Sequence, residues 1–117
     1  MAVSRIIDLT NEVNDNSIAV VDVGGWDYSV VQLVSPTGTF TFNSSNDSGA
    51  ITGVSDGSSA SATNWIAVQG TNLNSGSAVT TLAASGLVRF TVIGQYLQLS
   101  GGSAQVTKAI VRLYKFS

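Results

Sequence analysis

Thr39-Phe40-Thr41-Phe42 and Val88-Arg89-Phe90-Thr91-Val92 alternate polar and apolar side chains residue by residue. That period puts successive side chains on opposite faces of an extended chain, so each run reads as a half-buried β-strand. No window sustains the 3.6-residue period that would let a helix bury one face. Extended runs are expected at residues 5–9, 17–23, 26–34, 38–42, 63–69, 78–82, 87–93, 95–99 and 104–116, with a further short one at 50–54. Gly24-Gly25, Pro36-Thr37-Gly38 and Ser100-Gly101-Gly102-Ser103 supply turn chemistry between them. Residues 11–16 and 70–76 read as turn-rich connections, and 43–62 as mostly loop. About eight to ten short strands imply an all-β, single-domain antiparallel β-sandwich, jelly-roll-like. Residues 1–16 would be an N-terminal arm or first short strand, and 17–117 the sandwich. Its core is expected to hold Phe40, Phe42, Trp65, Val88, Phe90, Val92, Leu97 and Leu99.

The 117 residues contain no His and no Cys, and only 10% are charged against 44% hydrophobic. A chain of this length buries enough apolar surface to fold without a disulfide or a metal. Most acid–base and metal chemistry near neutral pH uses His, Cys or clustered carboxylates. The chain is therefore expected to be non-enzymatic, with no cofactor and no catalytic or metal-binding residues. The formal net charge of −2 is too weak to steer it to nucleic acid or to an anionic membrane. No run approaches the ~18–20 apolar residues of a membrane span, and no targeting signal is recognisable. The chain is expected to be soluble.

The order of the charges says more than their sum. Seven acids and no base lie between Ile6 and Val88, whereas Arg89, Lys108, Arg112 and Lys115 follow with no acid. The last extended run puts Ala109, Val111 and Leu113 on one face, with Lys108, Ile110, Arg112, Tyr114 and Phe116 on the other. Burial of both faces inside the sandwich is one reading. Aromatic and Arg side chains together also mark protein–protein contacts, so Lys108, Ile110, Arg112, Tyr114 and Phe116 are a candidate oligomer or partner interface. The upstream acids offer it the opposite charge.

Other constellations are weaker. Asp22 and Asp27 flank Gly24-Gly25-Trp26, which is commoner as turn chemistry than as a glycosidase pair. Asn46, Asp47, Ser48 and Asp56 carry oxygen ligands at spacings that match no defined Ca²⁺ loop. Trp26 could be an exposed stacking platform for sugars, while Trp65 sits in an alternating run and reads as core. Asn46, Asp47, Asp56 and Trp26 thus form a candidate exposed binding-loop set. The serines lack a base, and Gly24-Gly25 precedes no helix that could bind phosphate.

Two longer stretches carry a resemblance. The first is Phe40-Thr41-Phe42-Asn43-Ser44-Ser45-Asn46-Asp47 followed by Asn64-Trp65-Ile66-Ala67-Val68-Gln69-Gly70-Thr71. The second runs Ala84-Ser85-Gly86-Leu87-Val88-Arg89-Phe90-Thr91-Val92-Ile93-Gly94-Gln95-Tyr96-Leu97-Gln98-Leu99. In order, residues 28–116 resemble small β-sandwich virion proteins of tailed bacteriophages: capsid decoration (cement) proteins and related tail or fibre modules. The resemblance implies a structural virion component without an active site, foremost a head decoration protein that binds the capsid exterior and stabilises the shell. It implies the major capsid protein and self as partners, a homotrimer, and localisation in the virion after assembly in the bacterial cytoplasm. A tail, neck or baseplate component is the nearest alternative. A carbohydrate-binding sandwich that adheres to cell surfaces is the alternative from another class.

Overall fold

A computed structural model describes residues 2–46, 64–91 and 93–116. Among them are eleven strands and one short helix. The strands are β1 (Ala2–Asp8), β2 (Ile18–Asp22), β3 (Tyr28–Val34), β4 (Phe40–Ser45), β5 (Ile66–Ala67) and β6 (Gly70–Asn72). They continue as β7 (Ala78–Val79), β8 (Thr81–Leu82), β9 (Gly86–Phe90), β10 (Tyr96–Ser100) and β11 (Lys108–Phe116). The helix α1 spans Thr10–Asn16.

The strands form two sheets, ordered β1-β11-β3-β9-β6-β7 and β2-β10-β4-β5, with β8 also paired to β4. Every ladder is antiparallel. The first strand pairs with the last in one sheet, and the second with the last but one in the other. This nesting is the jelly roll, two Greek keys wound as one long hairpin. The expected all-β sandwich is the observed fold.

Alternation built the core as the sequence indicates. Phe40, Phe42, Val88, Phe90, Leu97 and Leu99 are all fully buried, as are Ala109, Val111 and Leu113 of β11. Phe42 from the smaller sheet meets Phe90 from the larger edge to face, with ring centroids 5.1 Å apart. Val92, the remaining expected core residue in that run, lies outside the described residues.

Several expectations need correction. Trp65 is only half-buried and is not part of the core cluster, because β5 reduces to two exposed residues rather than the run 63–69. Residues 11–16 are not a turn but most of α1. The Asp8 carboxylate accepts the Thr10 backbone N–H at 2.9 Å and the Thr10 hydroxyl at 2.6 Å, which sets the helix start. Leu9 and Val13, four residues apart, are both fully buried, and Ser17 ends the helix in the left-handed conformation with φ 63°. Asn14 then ties α1 to the segment before β11: its Nδ2 donates to the Val106 carbonyl at 3.0 Å and its Oδ1 accepts the Val106 N–H at 2.9 Å. β1 pairs with β11 along its whole length and α1 packs on the core through Val13.

Gly70 opens a strand, not the expected turn. A Cβ there would lie 2.5 Å from Val88 Cγ1 and 2.9 Å from the Arg89 carbonyl oxygen, so only glycine lets β6 approach β9 this closely. The expected strand 78–82 divides into β7 and β8, which serve different sheets. Of the expected run 104–116, only the part from Lys108 is strand. β4 continues through Ser45 because its backbone stays paired with β10, Ser44 opposite Leu97 and Ser45 opposite Tyr96; the Ser44 hydroxyl also donates to the Tyr96 carbonyl and accepts the Gly94 N–H, each at 2.8 Å. The expected strand at 50–54 lies outside the described residues.

Candidate functional site

β11 lies between β1 and β3, so its side chains have neighbours on both flanks. Its buried set faces the core. Its other set, Lys108, Ile110, Arg112, Tyr114 and Phe116, faces away from the second sheet. The register extends this outer face across four strands. Asp8, Ile110, Gln32 and Leu87 form one row, and Ile6, Arg112, Val30 and Arg89 the next. Ser4, Tyr114 and Tyr28 form a third.

The face mixes aromatic, aliphatic and basic side chains. Tyr28 and Tyr114 stack with centroids 4.6 Å apart and planes 10° from parallel, and Phe116 lies 5.6 Å from Tyr28. Asp27 pins this end of β11: its Oδ2 accepts the Phe116 N–H at 2.5 Å, and its N–H donates to the Tyr114 carbonyl at 2.9 Å. Ile6, Arg112, Tyr114 and Leu87 help to line a hollow of about 270 Å³ in the middle of the face. Arg89, Tyr28, Asp27 and Phe116 help to line a second, of about 440 Å³, beside it. Ile6 and Phe116 are 54% and 63% exposed and sit on this face beside other apolar side chains, Leu87 and Tyr28 among them.

Charge is divided in space as well as in sequence. All five bases, Arg5, Arg89, Lys108, Arg112 and Lys115, lie on β1, β9 and β11 of the larger sheet. The described acids run from the end of β1 through α1 to the connection before β3. Besides Asp27, Asp8 reaches the basic face. Its carboxyl is held below the usual carboxylate range, chiefly by the Thr10 hydroxyl, then by the Thr10 N–H, with a further contribution from Lys108. The outer face of the smaller sheet is different in kind: Asn43 Nδ2 donates to Gln98 Oε1 at 2.9 Å, and Gln98 is buried.

The loop-borne candidates do not converge into one site. Asp22 Oδ1 accepts the Gly24 N–H at 2.9 Å and Gln95 Nε2 at 2.6 Å, so it fixes two loops, while Asp27 serves β11. The two carboxylates thus bind different pieces of backbone. Trp26, expected to be exposed, is half-buried and packs on the core. With Asn46, Thr91 and Gln95 it helps to line a cleft of about 210 Å³ at one end of the sandwich. Asn46 Oδ1 accepts the Gln95 N–H at 2.8 Å. Asp47 and Asp56, with the rest of the candidate loop, lie outside the described residues. Among the described residues no group of His, Cys, Asp or Glu could hold a metal ion, and no helix is long and apolar enough to cross a membrane.

The nesting of first strand on last places the chain among the jelly rolls. Among solved structures it is similar to the crystal structure of SPBc2 prophage-derived protein YomS, with a TM-score of 0.65 and 12% identity over 97% of this chain and 93% of that one. At that identity the likeness is one of fold. No protein-family model and no curated protein matches the sequence.

Proposed function

We propose that the protein is a non-enzymatic structural component of a bacteriophage particle, and specifically a head decoration protein that binds the exterior of the major capsid protein. The observation that carries the reading is the outer face of the larger sheet. Apolar, aromatic and basic side chains share a rigid strand surface there, the composition of a contact surface rather than of a solvated one. The jelly-roll fold, shared with a prophage-derived protein, and the resemblance of residues 28–116 to virion sandwiches point the same way. Lys108, Ile110, Arg112, Tyr114 and Phe116 would seat the molecule, and many copies on one shell would multiply the stabilisation that each contributes.

A decoration protein is present in many copies on the head, whereas a tail, neck or baseplate part is present in few. Counting copies in purified particles of the encoding phage, and imaging those particles at side-chain resolution, separates the two. Density for the jelly roll on the capsid exterior is expected; particles that lack the protein altogether would remove the virion reading. The adhesion alternative would use the loop-end cleft at Trp26. Glycan binding that disappears in Trp26→Ala would favour it.

A further inference from the structure

We propose that the free edge of β1 pairs antiparallel with the same edge of a second copy, across a two-fold axis at Ile6. The other sheet edges among the described residues are short: β7 and β5 have two residues each and β2 has five. β1 has seven, contains no proline, and pairs with β11 without a bulge from Ala2 to Asp8. A regular strand edge of this length is a template for another strand.

The backbone selects the register. The Leu9 N–H donates to the Ala109 carbonyl at 2.7 Å, so Leu9 turns its hydrogen-bonding groups toward β11. In an antiparallel ladder the direction alternates, so Arg5 and Ile7 turn the same way. The N–H and C=O groups of Ala2, Ser4, Ile6 and Asp8 therefore point out of the free edge. A two-fold axis normal to the sheet keeps both outer faces on one side and pairs only residues of the same facing. Centred on Arg5, it would set two guanidinium groups directly opposite each other, which is destabilising. Centred on Ile7, it would leave Ser4 unpaired.

Centred on Ile6, it pairs Ser4, Ile6 and Asp8 and leaves only Ala2, at the strand's end, without a strand partner. Ile6, 54% exposed, meets its own copy, and the Ser4 hydroxyl comes opposite the partner's Asp8 carboxylate on each side of the axis. Arg5 then lies opposite the partner's Ile7. The two outer faces run on as one surface. This pairing does not depend on the virion reading, and it is separate from any trimer made through the β11 face.

The test uses the full chain and a charge swap. Wild type should form dimers whose fraction rises with concentration in light scattering. Ile6→Lys and Ile6→Glu should each weaken dimerisation by about tenfold or more, because each sets like charges across the axis. An equimolar mixture of the two variants should restore it, since only self-opposition of residue 6 makes them complementary. Circular dichroism of each variant, and its melting at concentrations too dilute for wild type to dimerise, should match wild type, because the side chain is exposed. A wild type that stays monomeric at its highest soluble concentration would overturn the proposal. So would a mixture no better than its components, or a trimer that Ile6→Lys leaves unchanged.

Discussion

Phe90 shows what one core side chain contributes. It is fully buried, its edge-to-face contact with Phe42 joins the two sheets, and its neighbour Val88 packs under Gly70. Phe90→Ala should cost about 3–5 kcal/mol in urea unfolding, from lost burial plus the cavity left between the sheets; a loss under about 1 kcal/mol would mean that the core collapses to fill it. Asp8 makes a different kind of contribution. Its hydrogen bonds to Thr10 lower its pKa in the folded state, so the unfolded chain takes up the proton more readily. Its stabilising effect is complete above the unfolded carboxylate pKa and is lost as pH falls through the lower folded value. Asp8→Asn should therefore be less stable at neutral pH and should flatten the acid limb of the stability curve. Parallel acid limbs for variant and wild type would assign that limb to other carboxylates.

At the scale of elements, legibility followed the strength of the alternation. β4, β9, β10 and β11 were readable because each sets apolar side chains two apart against a buried face. α1 was not. Seven residues with one buried side chain, Val13, carry almost no period, and the useful signals were small: Asp8 two before Thr10, and Leu9 four before Val13. β6 was hidden by its own glycine, since Gly70 reads as a turn until Val88 and Phe90 are seen above it. Neither Trp takes its expected place: both are half-buried, Trp26 packed on the core and Trp65 off it, beside a β5 too short to carry an inward face. The β11 outer face was legible as a juxtaposition within one strand. Its extension to Ile6, Tyr28, Val30 and Leu87 was not, because register between distant strands is invisible in local pattern. Tyr114→Ala combined with Arg112→Glu should keep the β-type circular dichroism and the melting temperature within a few degrees, and should weaken attachment to particles. Undiminished attachment of this double variant would move the contact to another face.

The whole molecule is a slab, with principal extents of 38, 36 and 22 Å. Its thin dimension suits two packed sheets, and its broad side is the one that carries the aromatic and basic residues. Nothing among the described residues links stability to a metal, so melts with and without a chelator should coincide. A fall of several degrees in chelator would point to an ion held by acids outside the described segments. The position of β11 bears finally on time rather than on contacts. β11, made after every other described strand, fills the gap between β1 and β3. Until those nine residues leave the ribosome, β1 has no neighbour, the larger sheet stays in two pieces, and its inner face is open to water and to other chains. Such distant pairings close slowly. The nascent chain stays adhesive until β11 has been made.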